Sequence, residues 1–166
     1  MSSKWQSDGR AIEFEKQLRA AQGYYELGML DEAWDEVVAI EADYPDEQAL
    51  LQVKLLLQLK SGQWYLALET SQRLCELEPE DYMGFIHAAY CLHELGKTQE
   101  ARKVLLDGPT SLRETAVFYY NMGCYEVSLG RINKGRNNLE RSFELDRHLM
   151  DVARQDPDLA ELWEVI

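Results

Sequence analysis

LGMLDEAW (27–34) returns as SGQWYLAL (61–68), LGKTQEAR (95–102) and LGRINKGR (129–136), each copy 34 residues after the last. Two positions keep their register in all four copies. One is a glycine (Gly28, Gly62, Gly96, Gly130); five residues on stands a small residue (Ala33, Ala67, Ala101, Gly135). Glycine readily adopts the left-handed conformation that ends a helix. The small side chain lets the next helix cross closely, where a bulky one would force the two apart. A linked pair repeated at this period marks a helix–turn–helix solenoid. With Gly28 as position 15 of its unit, the repeats run 14–47, 48–81, 82–115 and 116–149 without a gap.

The unit ends carry their own stops. Pro45 and Pro79 close the first two units, where neither can continue a helix. The third unit differs, because Gly108–Pro109 shortens its second helix. Ser111-Leu112-Arg113-Glu114 has the pattern of a capping box, which predicts an early start of the next helix near Leu112. After Leu149 a polar step leads to Asp156–Pro157, an N-cap with a first-turn proline. Leu159, Leu162, Trp163 and Ile166 follow at helical spacing, which predicts a capping helix over about 156–166 to cover the open end of the stack. Residues 1–9 are expected to be disordered, leaving one domain over 10–166.

Composition bounds the function classes. The chain has 166 residues, 46% apolar and 28% charged, and no stretch of 18 consecutive apolar residues to span a bilayer. Residues 1–10 are polar and lack the apolar run of a secretory signal. Cys75, Cys91 and Cys124 are odd in number and scattered, which points to a reducing compartment, so the cytoplasm is the expected location. A net charge of −13 repels phosphate backbones and anionic lipid, so neither nucleic acid nor membrane is an expected partner. Eight acids and no base lie between Asp31 and Glu47, read as a solvated outer face in preference to a docking site for a basic partner.

Over residues 14–149 the chain resembles the tetratricopeptide repeat (TPR) superfamily, on the segments 27–45, 61–79, 95–106 and 129–146. The family's large residue at position 4 is matched by Leu51, Phe85 and Tyr119, its position 11 aromatic by Tyr24, and its small position 8 by Ala21, Ala89 and Gly123. Gln17, Lys54 and Leu55 depart from the pattern at positions 4, 7 and 8. The resemblance implies an all-α, right-handed superhelix (an α-solenoid) of four helix–turn–helix units plus the C-terminal capping helix. It also implies a concave face lined by the first helix of each pair, acting as a protein–protein interaction module.

In that geometry positions 2, 5, 9 and 12 line the groove. They hold Glu15, Leu18, Gln22 and Tyr25, then Ala49, Gln52, Leu56 and Leu59. Met83, Ile86, Tyr90 and His93 follow, then Val117, Tyr120, Cys124 and Val127. Twelve of the sixteen are apolar or aromatic and one is charged, which predicts an apolar binding groove. Gln22, Gln52 and Asn121 could hydrogen-bond a ligand backbone there. The clamp by which related domains grip acidic chaperone tails would fall on Leu18, Gln22, Val53, Met83 and His87, a set with no fixed cation, so an apolar ligand is expected instead. The groove could equally be filled by the chain's own tail, its Trp5-bearing N-terminus or a second copy.

No catalytic, metal or cofactor motif competes with this reading. His87 and Cys91 stand four apart without further zinc ligands or an orienting third group. The glycines are helix ends and not phosphate loops. The expectation is a non-enzymatic adaptor or scaffold without cofactor, holding an apolar peptide or helix. The alternatives are a chaperone that shields hydrophobic segments of secreted or assembling proteins, and a self-associating protein whose groove is buried in a homodimer.

Overall fold

The computed structural model describes residues 3–163, and within them all regular structure is helical. Internal contacts divide the chain after Thr70 into two compact units. Nearest-neighbour packing is the rule in solenoids, so such a chain has no single central core.

The first unit contains α1 (Ser3–Glu26), α2 (Leu30–Glu41), α3 (Gln48–Lys60) and the start of α4 (Trp64–Leu77). Helix α1 begins at Ser3, within the stretch 1–9 that is expected to be disordered; residues 1 and 2 lie outside the described part. At its other end the chain reverses at Gly28, whose φ is +76°. The Gly28 N–H donates to the Tyr25 carbonyl at 3.0 Å and the Met29 N–H to that of Tyr24 at 2.9 Å. This crossed pair satisfies carbonyls that a helix end would leave bare. The same pair recurs at Gly62, with φ +66°.

Ala21 of α1 and Ala33 of α2 are both fully buried, as a close crossing requires. Val37, Ile40, Leu50, Val53 and Leu57 complete the core of this unit. Tyr44, in the turn after α2, sets its ring 4.5 Å from that of Phe14 and ties the loop back to α1. Lys54, out of place in a family pattern that asks for an apolar residue, is explained by an ion pair with Glu41.

The second unit holds the rest of α4, then α5 (Met83–Glu94), α6 (Thr98–Asp107), α7 (Ala116–Ser128), α8 (Ile132–Leu145), α9 (His148–Gln155) and α10 (Ala160–Trp163). Gly96 and Gly130, with φ +76° and +75°, repeat the crossed pair of hydrogen bonds. Helices α7 and α8 cross on two glycines, Gly123 and Gly135, both buried. Above the crossing, Glu126 of α7 keeps only 3% of its side chain exposed; it accepts hydrogen bonds from Arg102 Nε at 2.5 Å and Arg131 Nη1 at 3.1 Å.

Two sequence expectations are corrected here. Ser111–Glu114 is not a capping box opening a helix; Thr110–Glu114 is a 3₁₀ turn, and α7 starts at Ala116. Leu112 is fully buried, which pins that turn to the core, and the chain is extended at both Pro109 and Thr115. Thr115 is the actual cap: its Oγ1 accepts from the Phe118 N–H at 3.2 Å. The polar step after Leu149 is likewise helical, as α9. Where the capping helix over 156–166 is expected, a 3₁₀ turn over Pro157–Leu159 leads into α10. Ile166 lies outside the described residues.

Tyr125, 2% exposed between α5 and α7, has its ring centroid 4.9 Å from that of His93, while its hydroxyl finds no protein partner among the described residues. A buried hydroxyl without a hydrogen bond opposes folding. Tyr125→Phe should therefore keep or raise stability, by up to about 1 kcal/mol, in urea unfolding; a clear fall in the midpoint would mean that the hydroxyl is bonded.

Candidate functional site

The expected groove residues divide between the two units and behave differently within each. In the first, Leu18, Tyr25 and Val53 pack with the core, Leu59 is half-buried, and Gln22, Gln52 and Leu56 are exposed. In the second, Met83 and Tyr90 of α5 are 44% and 39% exposed, and Ile86 between them is buried. Residues seven apart on a helix share a face, so Met83 and Tyr90 form an open apolar strip. Val117 and Asn121 are half-buried, while Tyr120, Cys124 and Val127 are buried.

What lies against α7 is the chain's own C-terminal segment. The Tyr120 hydroxyl donates to Asp156 Oδ2 at 2.7 Å, and the Cys124 thiol points to the same oxygen at 3.8 Å. One helix away, His93 Nε2 lies 2.9 Å from Asp158 Oδ2, and its Nδ1 2.9 Å from Thr98 Oγ1. A carboxylate only accepts, so Nε2 carries a proton in this contact. Leu159 and Leu162 are buried beside these polar contacts, and Trp163 Nε1 donates to the Ala153 carbonyl at 3.1 Å.

The segment is shaped for this position by its own backbone. Asp156 Oδ1 accepts from the Asp158 N–H at 3.0 Å and so caps the 3₁₀ turn, leaving Oδ2 for Tyr120. Pro157 fits the first turn because its missing N–H is not needed there.

The electrostatics suit neutral donors facing an acid. Burial, and then the Asp156 hydrogen bond, push the Tyr120 phenol well above its usual range. Burial, and then the Asp156 charge, push the Cys124 thiol up as well. Both groups therefore hold their protons and stay donors. Cys91 is fully buried, which raises its thiol to about 11, and Cys75 is raised to about 11 for the same reason. A thiol held protonated is a poor nucleophile. His87 is lowered by burial, against the opposing charge of Asp81.

Sequence reasoning singles out Tyr120, Cys124 and His93, and it sees Asp156 only as a cap. It misses Asp156, Asp158 and Thr98 as partners of those side chains. The available signal is a pair of acids around Pro157 with leucines at 159 and 162, acidic on one side and apolar on the other.

No described helix is long and apolar enough to cross a membrane, and no group of three or more His, Cys, Asp or Glu among the described residues could hold a metal ion. No protein-family model and no curated protein matches the sequence. Solved structures do match. MamA MSR-1 is similar at 19% identity and a TM-score of 0.70, over 81% of this chain and 78% of its own. Another MamA crystal structure is similar at 14% identity and 0.75, over 93% and 82%. A thermophilic TPR protein of Thermus thermophilus is similar at 15% identity and 0.66, over 86% and 78%. The repeated glycine turns, the close crossings beside them and these neighbours agree: the chain has a TPR-type, all-α solenoid fold.

Proposed function

We propose that the protein is a non-enzymatic interaction scaffold whose first-helix faces hold an apolar peptide or helix of a partner protein. The observation that carries this reading is the C-terminal segment itself, whose acids meet side chains of α5 and α7 at the positions where TPR-type folds offer a groove. Such a face accommodates a short peptide with buried leucines and a few oriented hydrogen bonds, the chemistry of peptide recognition. The strip of Met83 and Tyr90 on α5 adds exposed apolar surface of the same kind.

The test is selection of peptides from a displayed library on the immobilised full chain, followed by titration. Selected peptides should be apolar, and Tyr90→Ala and Met83→Ala should each weaken them about tenfold with helicity unchanged by circular dichroism. Equal affinity in both variants would sink the reading. Light scattering over a wide dilution range should give one protomer mass before peptide is added; a dimer that dissociates on dilution would favour self-association instead.

A further inference from the structure

The C-terminal contact is more specific than an apolar lid. Both acids of Asp156-Pro157-Asp158 meet a side-chain donor: Tyr120 Oη for the first, at 2.7 Å, and His93 Nε2 for the second, at 2.9 Å. Leu159 and Leu162 follow, 0% and 5% exposed. Neither of these two contacts involves a lysine or arginine, so the carboxylates are read by oriented hydrogen bonds, and hydrogen bonds to an ionised acceptor are strong and directional. Thr98 fixes the far side of the His93 ring at 2.9 Å. The face thus distinguishes a segment with two spaced acids ahead of leucines from an apolar segment in general.

The segment that occupies it is not self-supporting. Among the described residues it is a three-residue 3₁₀ turn and four residues of helix, too little to be stable in isolation. Its order therefore depends on the tertiary contacts it makes, so removing those contacts opens it. Being tethered, it competes at an effective concentration on the order of millimolar.

We propose that the α5–α7 face is a recognition site for a partner segment of pattern Asp-x-Asp-Leu-x-x-Leu, and that residues 156–162 are its resident competitor. The inference rests on the scaffold reading and deepens it, by naming the ligand class and the element that must leave. A partner carrying the motif displaces the tail, and affinity is set by the fraction of molecules in which the tail is open.

The experiment uses the full chain and a fluorescein-labelled peptide, QDPDLAELW, the sequence of 155–163, read by anisotropy. Asp156→Ala with Asp158→Ala loosens the tail and should tighten peptide binding about tenfold or more over wild type. Adding Tyr120→Phe and His93→Ala to that variant should reverse the gain, and a peptide with both aspartates changed to alanine should bind at least about tenfold more weakly. Equal binding by wild type and the loosened variant, or binding indifferent to these donors and acids, overturns the proposal. A loosened variant that dimerises without peptide also overturns it, by making a second copy's tail the occupant. If the variants fail to fold, hydrogen exchange on the unaltered chain decides. Excess unlabelled peptide should speed exchange of the 158–163 amides, and no acceleration overturns the proposal. Library peptides that bind through Met83 and Tyr90 while this peptide fails would leave the scaffold reading standing and remove only the tail competitor.

Discussion

Gly135→Ala should destabilise the second unit by about 2–3 kcal/mol and Gly123→Ala by about 1–2 kcal/mol, although alanine is the better helix former. In an exposed helix interior the same change gains up to roughly 1 kcal/mol. Here a Cβ on Gly135 would stand 2.5 Å from Val127 Cγ2, 3.0 Å from the Gly123 carbonyl oxygen and 3.2 Å from the Val127 nitrogen. Two of those three atoms are backbone and cannot swing aside, so α7 and α8 must separate. A Cβ on Gly123 would meet Leu139 Cγ at 2.6 Å and Cδ2 at 2.9 Å before it meets backbone, the Gly135 carbonyl oxygen at 3.2 Å. Leu139 is 2% exposed, so it has little room to move, but a side chain yields more readily than a helix axis. Urea unfolding compares both variants with wild type. A midpoint equal to or above wild type in Gly135→Ala would mean that the crossing is looser than these distances.

Glu126→Gln should cost about 2 kcal/mol near neutral pH and progressively less as the solution becomes acidic. Burial by itself would raise the Glu126 carboxyl. The hydrogen bonds and charges of Arg102 and Arg131 outweigh burial and hold it below its ordinary 4.5. A carboxyl depressed on folding contributes stability that is fully present above its unfolded pKa and is lost as pH falls through its lower folded value. Removing one partner of a fully buried ion pair costs roughly 3–5 kcal/mol. The arginine side chains keep 27% and 41% of their surface exposed, so water relieves part of that loss. Urea midpoints of wild type and variant, taken from neutral pH down to well below 4.5, should converge toward the acid end. A gap that stays constant with pH would assign the effect to packing and not to charge.

The residues behind these two predictions are legible to different degrees. Gly135 stands out because it holds the small position of a four-fold repeat, and its partner Gly123 because it fills the family's small position 8. Glu126 carries no signal. Its partners come from two directions, Arg131 five residues on and Arg102 a helix away, and only the packed unit makes the carboxylate the place where they meet. Thr115 against Ser111 is a similar case. Both are plausible caps by residue type, and burial of Leu112 in the turn between them decides which hydroxyl meets a helix N-terminus.

The sequence by itself determined the helix class, the 34-residue period, the four glycine turns and the small residues beside them. These depend on φ preferences and on side-chain volume within a few residues, terms that neighbouring chain already contains. Only the tertiary structure decided which of the candidate groove side chains stay open to a partner and which lie under the tail. Leu56, Met83 and Tyr90 are exposed while Tyr120 and Cys124 are buried, though all five hold expected groove positions of the repeat. The difference arises because Asp156 and Asp158 lie 36 and 65 residues from Tyr120 and His93, and contacts at that range follow from how the packed chain folds back, not from any local pattern.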